Sequence, residues 1–147
     1  MSDFYFDDMQ VGQRFATADI EVSEADIIDF ARRFDPQYFH LDPAAAAGSA
    51  FGGLIASGFH TLSLSFRLFF DLNLWQGAIL GSPGLREVTW LKPLRPGDRI
   101  RGAIEVIDTK RSASKPDRGI VTTRHETFNQ RDEIILTAIC PHLLRAR

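Results

Sequence analysis

An aspartate and a histidine stand five positions apart in the string Phe34-Asp35-Pro36-Gln37-Tyr38-Phe39-His40-Leu41-Asp42-Pro43. Pro36 holds one backbone angle, and a turn in such a non-helical stretch can bring the Asp35 and His40 side chains together. A carboxylate beside an imidazole, a group that as a type titrates near neutrality, suits general acid–base work on a shared water. Adding water to a double bond conjugated with an acyl carbonyl is work of this kind: a base activates the water and an acid protonates the α-carbon. The carbonyl oxygen gathers negative charge on the way, so a donor must already point at it. Ala56-Ser57-Gly58 open a long apolar run that reads as a helix. Backbone N–H groups at a helix start lack partners inside the helix, and a glycine there lets a ligand approach the backbone closely.

Each of these residues also has a plainer reading. Asp35 precedes a proline at a helix end, where an aspartate commonly forms a turn or cap. His40 alone reads equally as a hydrogen-bonded structural histidine, and only its spacing from Asp35 lifts it above that. Asp42, next to Pro43, is most economically a helix cap. His60 falls just inside the long helix and reads as a core histidine. His125 and His142 sit in strand-like runs without identifiable partners, which gives metal binding little support.

The elements that must position the pair can be read from pattern. Ser23 can cap a helix reaching Phe34, with Asp26 at its positive end and Ile27, Phe30, Ala31 and Phe34 on one face. Asp35-Pro36 ends it. Asp42-Pro43 and the alanines to Ala47 form a short capped helix that stops at Gly48, and Gly52-Gly53 gives a further break. The long helix is expected from about Leu54 to Leu72, apolar on most sides through Leu54, Ile55, Phe59, Leu62, Phe66, Phe69 and Phe70, so something must wrap it. Beyond Gly84 the runs Leu85–Leu91, Asp98–Asp108, Gly119–Phe128 and Glu133–Leu144 are rich in Ile, Val and Thr and punctuated by turn residues. Short connections join antiparallel neighbours. With an early strand near Arg14–Val22, the expectation is an α+β fold: a curved antiparallel sheet of about five strands around one central helix, the hot-dog architecture, as one domain over residues 1–147. Such a sheet leaves an edge to manage, and pairing two copies edge to edge removes it, so at least a homodimer is expected.

Composition bounds the alternatives. With 147 residues, 44% hydrophobic and 24% charged, the chain is long enough to bury a sizeable core. A net charge of −2 supplies no polycationic surface for nucleic acid or an anionic membrane. Cys140 is the single cysteine, which excludes an intrachain disulfide and a cysteine-based zinc cluster and fits a reducing compartment. The acidic start, Ser2 to Asp8, has no basic or apolar leader character, and His60, Arg67 and Asp71 in or beside the long apolar run are costly in a bilayer. A cytoplasmic protein is expected.

The segment from Phe34 to Thr61, F-D-P-Q-Y-F-H-L-D-P followed by F-G-G-L-I-A-S-G-F-H-T, resembles the MaoC-like dehydratases, which include the (R)-specific enoyl-CoA hydratases. The likeness extends through Val11–Phe15, Leu94–Asp98, Lys115–Val121 and Asn129–Arg131. It implies a catalytic pair at Asp35 and His40, a thioester-oxygen site at Gly58 with Ser57 beside it, and an acyl-CoA substrate, trans-2-enoyl-CoA interconverting with (R)-3-hydroxyacyl-CoA. It implies no metal or redox cofactor, coenzyme A being part of the substrate. Two departures stand out: Gln37-Tyr38 replaces the usual Asn-Pro of D-x-N-P-x-H, and Ser57-Gly58 replaces the usual His-Gly. The loop carrying Ser112, Ser114, Lys115 and Arg118 reads as a solvated turn, or as cations placed for the phosphates of coenzyme A. The competing functions are a hot-dog acyl-CoA thioesterase, which sends water to the carbonyl carbon, and a non-catalytic acyl-CoA-binding or partner subunit.

Overall fold

The computed structural model describes residues 4–147. A single 3-10 turn, Phe6–Asp8, precedes strands β1 (Arg14–Ala16) and β2 (Ile20–Glu21). Four helices follow, α1 (Glu24–Phe34), α2 (Tyr38–Leu41), α3 (Pro43–Ala47) and α4 (Gly58–Phe70), then β3 (Ile79–Gly81), β4 (Arg86–Trp90), β5 (Arg99–Arg111), β6 (Arg118–Phe128) and β7 (Ile134–Arg145). All strand pairs are antiparallel, in the order β1-β5-β6-β7-β3. β2 extends the edge on β5 beyond β1, and β4 extends the edge on β7 beyond β3. Seven strands therefore occupy five lateral positions, and the hot-dog sheet expected from the pattern is present. No helix among the described residues is long and apolar enough to cross a membrane.

The local signals act where their chemistry places them. Ser23 Oγ accepts from the Asp26 N–H at 3.1 Å and starts α1, whose Ile27 and Ala31 are buried. Phe34, expected on that buried face, is 64% exposed, because α1 ends there and the chain turns away at Asp35. Asp42 Oδ1 accepts from the N–H groups of Ala44 and Ala45, with Pro43 at the first helical position, and α3 stops at Gly48.

Two expected element bounds need correction, and one strand was not foreseen. The early strand breaks between Ala16 and Ile20, where Thr17 Oγ accepts the Gly102 N–H at 2.8 Å in place of a ladder carbonyl. β3 carries no strand pattern; three residues pair there because β7 offers an edge, Ile79 lying opposite Leu144. The long helix begins at Gly58, not near Leu54. The backbone before it is committed elsewhere: Ile55 N–H donates to Phe39 O and Ala56 N–H to Leu94 O. Leu54 and Ile55 are buried, but from a segment outside any helix or strand.

α4 lies on the sheet between two clusters of buried side chains. One gathers Phe69, Trp75, Ile104, Val121 and Leu144, and the other Ile27, Leu54, Leu68, Leu94, Ile100 and Ile135. The second cluster anchors α1, the segment before α4 and the Leu94 turn together, and these are the pieces that meet around Asp35 and His40. One stripe of α4 is left open, toward β3 and β4: Phe59 and Phe70 are 60% and 61% exposed.

Candidate active site

Asp35 caps the C-terminus of α1, its N–H bonded to Ala31 O. The stretch after it is not the irregular turn expected, because Tyr38–Leu41 forms one helical turn, α2, which brings His40 back over Asp35. His40 Nε2 lies 3.3 Å from Asp35 Oδ2, and His40 is 3% exposed. His40 Nδ1 is 2.6 Å from Ile55 O, a carbonyl that can only accept, so Nδ1 carries its proton. Nε2 is then the atom that gains and loses a proton. With the imidazole neutral and the carboxylate ionised, Nε2 and Oδ2 are both acceptors, and one water can donate to the two together.

The carboxylate is held from three sides. Gln37 Nε2 donates to Asp35 Oδ1 at 2.7 Å, Ser57 Oγ donates to Oδ2 at 2.7 Å, and His40 faces Oδ2. Burial by itself raises the Asp35 pKa; the hydrogen bonds from Gln37 and Ser57 and the charge of His40 outweigh it, and the net shift is downward. Gln37 thus supplies an amide to the carboxylate.

Ser57 also accepts from the Phe59 N–H at 3.2 Å and caps α4. Expected beside Gly58 at the thioester oxygen, it spends its only hydroxyl proton on Asp35, so its side chain positions the carboxylate instead of facing an acyl oxygen. Gly58 opens α4, and its N–H has no acceptor among the described residues. Its lack of a side chain has a second cause that the sequence did not reveal. A Cβ at Gly58 would stand 2.6 Å from the Trp90 indole, whose Nε1 donates to Gly58 O at 2.8 Å.

These residues line a cavity of about 470 Å³ bordered by Asp35, Gln37, His40, Gly58, Phe59 and Trp90. Lys92 is the cation on its rim, paired with Glu133. The loop with Ser112, Ser114, Lys115 and Arg118 is elsewhere. It closes the far end of the β5–β6 hairpin, with Ser112 N–H bonded to Arg118 O, Lys115 N–H to Ser112 Oγ, and Arg118 paired with Asp117 at 3.0 Å. Arg118 is beside Arg145 whereas Trp90 is beside Leu136, about 30 Å apart along β7, so within one chain the loop does not reach the Asp35–His40 cavity.

His60 is also outside this cavity. It stacks on Phe30 at 4.5 Å and lines a cleft with Asp26, Asp29 and Arg33; burial lowers its pKa, Asp26 opposing. His125 and His142, for which no partners were apparent, share one: their Nε2 atoms lie 2.7 and 2.9 Å from Thr123 Oγ1.

Comparison with known proteins bears on the fold and the family. The chain is 36% identical over 126 residues to the uncharacterized protein YdeM of Bacillus subtilis, covering 86% of this chain and 88% of that protein. The crystal structure of a MaoC-like dehydratase from Rhodospirillum rubrum superposes with a TM-score of 0.91 at 42% identity, covering 98% of each chain. The (R)-hydratase from A. caviae involved in PHA biosynthesis superposes with a TM-score of 0.70 at 25% identity, covering 95% of this chain and 98% of that one. Residues 8–129 match the model of the MaoC like domain, and the chain belongs to that family of dehydratase-type domains.

Proposed function

We propose that the protein is a hydro-lyase that adds water to a trans-2-enoyl-CoA, or removes it from the (R)-3-hydroxyacyl-CoA, with Asp35 and His40 as the acid–base pair. The observation that carries this reading is the 3.3 Å approach of His40 Nε2 to Asp35 Oδ2 at a cavity that the open helix start at Gly58 also lines. The thioester oxygen accepts from the Gly58 N–H, where the helix dipole favours the charge that develops on the enolate. One water donates to Asp35 Oδ2 and to His40 Nε2. As the water oxygen bonds to C3, its proton passes to Nε2, and from there to C2. The pair ends as it began, with one water consumed. Asp35, whose pKa is lowered, stays ionised and stabilises the transient imidazolium. Because both groups lie on one side of the substrate, oxygen and proton arrive on the same face. The scheme draws on no metal or redox cofactor.

We further propose that the working unit is a homodimer. Phe59, Phe70, Ile79, Leu80, Leu85 and Trp90 are large apolar side chains exposed along the open stripe of α4 and the β3–β4 edge. A second copy pairing along the β3–β4 edge would continue the sheet and close over this stripe, leaving the space between the stripe and β3 to substrate. Mass measurement of the purified protein should give twice the chain mass, and a monomer at micromolar concentration would contradict it.

The reaction is tested by following the enoyl-thioester absorbance of crotonyl-CoA and longer trans-2-enoyl-CoAs alongside release of free thiol. Loss of absorbance without thiol is the expected result. Thiol release would make the protein a thioesterase, and binding without either change would make it an acyl-CoA-binding subunit.

A further inference from the structure

The open stripe of α4 continues past the acid–base pair. Phe59 lines the first cavity; Leu62, Ser63, Phe66 and Phe70, at successive positions of the same stripe, line a second of about 550 Å³. Phe59 and Trp90, ring centroids 6.4 Å apart, both line the first cavity. From Gly58 to Phe66 is about 12 Å along the helix, so an acyl tail leaving a thioester at Gly58 along this stripe enters the second cavity.

The lining of that cavity is not wholly apolar. Cys140 and His142 line it from β7. His142 Nε2 and His125 Nε2 converge on Thr123 Oγ1. The hydroxyl has one proton, so at most one imidazole accepts from it and at least one must donate to it. On the other side of the His142 ring, Nδ1 has Cys140 Sγ at 3.9 Å, a weak partner. The two imidazoles are packed among Phe66, Phe69 and Trp75 and are 4% and 3% exposed. Burial holds both neutral, with pKa values pushed down to about 3 for His125 and about 4 for His142. Aliphatic residues at these inward positions would fill the space without polar groups to satisfy, so the pair is a cost to a cavity that only had to hold hydrocarbon.

We infer that the second cavity takes the acyl tail and that His142, held by Thr123 and backed by His125, hydrogen-bonds an oxygen on that tail. The substrate is then an acyl-CoA whose chain bears a second oxygen function, a hydroxyl or a carbonyl, beyond the reacting carbons. This rests on the hydratase reading above.

The test compares wild-type protein on paired trans-2-enoyl-CoAs of equal length, long enough to span the 12 Å to Phe66, one plain alkyl and one bearing a hydroxyl or oxo group near the tail end. The expected result is kcat/KM about tenfold higher for the oxygenated member, the scale of one net hydrogen bond, with His142→Leu bringing the ratio to one or below and His142→Gln retaining part of it. Equal turnover of the pair by wild type, or a preference for the alkyl member, overturns the inference without any variant. A wild-type preference that survives in His142→Leu overturns the role of His142. Crotonyl-CoA, too short to reach the second cavity, separates the two claims: turnover of it with no preference among long chains sinks only this inference, whereas no turnover of any substrate sinks the hydratase reading.

Discussion

Asp35 and His40 could be singled out from their types and spacing, but what sets their geometry lies outside that spacing. The Ile55 carbonyl settles which His40 nitrogen exchanges protons, and it arrives from fifteen residues away. Ser57, twenty-two residues away, supplies one donor to the carboxylate. Gln37 was visible as a departure from a motif, but its amide could have pointed anywhere until α2 formed and turned it back to Asp35. These donors lower the Asp35 pKa, so removing one should raise it. Gln37→Ala should therefore shift the acid limb of the pH dependence of kcat/KM to higher pH, because activity falls as Asp35 becomes protonated. An unmoved acid limb would show that Gln37 does not tune the carboxylate. Ser57→Ala removes a carboxylate donor and a helix cap together, and should lower stability by about 1 kcal/mol as well as activity.

At the scale of elements, the long strands β5, β6 and β7 and the capped helices α1 and α3 were legible because their signals are local: alternation, Ser23, Asp42, Gly48. The start of α4 was misplaced because the apolar run Leu54–Ala56 fits a helix equally well by composition. The N–H groups of Ile55 and Ala56 are claimed by Phe39 and Leu94, partners distant in sequence. Trp90 was invisible as a site residue for the same reason: only β4 pairing with β7 sets it against Gly58. Gly58→Ala should force the indole off the helix start, costing about 1–3 kcal/mol of stability and displacing a wall of the cavity. The double variant Gly58→Ala with Trp90→Ala should lose less than the sum of the single variants, since the clash disappears with the ring. Thermal unfolding of the four proteins measures this, and strict additivity would mean the contact is not as described.

For the whole molecule, three buried histidines couple stability to pH. Burial lowers the pKa of His125 and His142 to about 3 and about 4, and lowers that of His60 against the opposing charge of Asp26. The unfolded chain takes up these protons near the ordinary histidine value of about 6.5. Below that pH the unfolded state binds more protons than the folded one, so stability is fully present above about pH 6.5 and is lost progressively toward pH 4. Urea unfolding should show a loss of several kcal/mol between pH 7.5 and pH 4.5, and a flat profile would contradict the neutral, buried state of these rings.

The central claim, that Asp35 and His40 together hydrate an enoyl thioester, is tested most directly by the rate of crotonyl-CoA absorbance loss in wild type, Asp35→Asn and His40→Ala, each shown to fold and assemble alike. The account predicts turnover by wild type and a fall of at least about a hundredfold in both variants. Wild-type inactivity, or variants as fast as wild type, would contradict it.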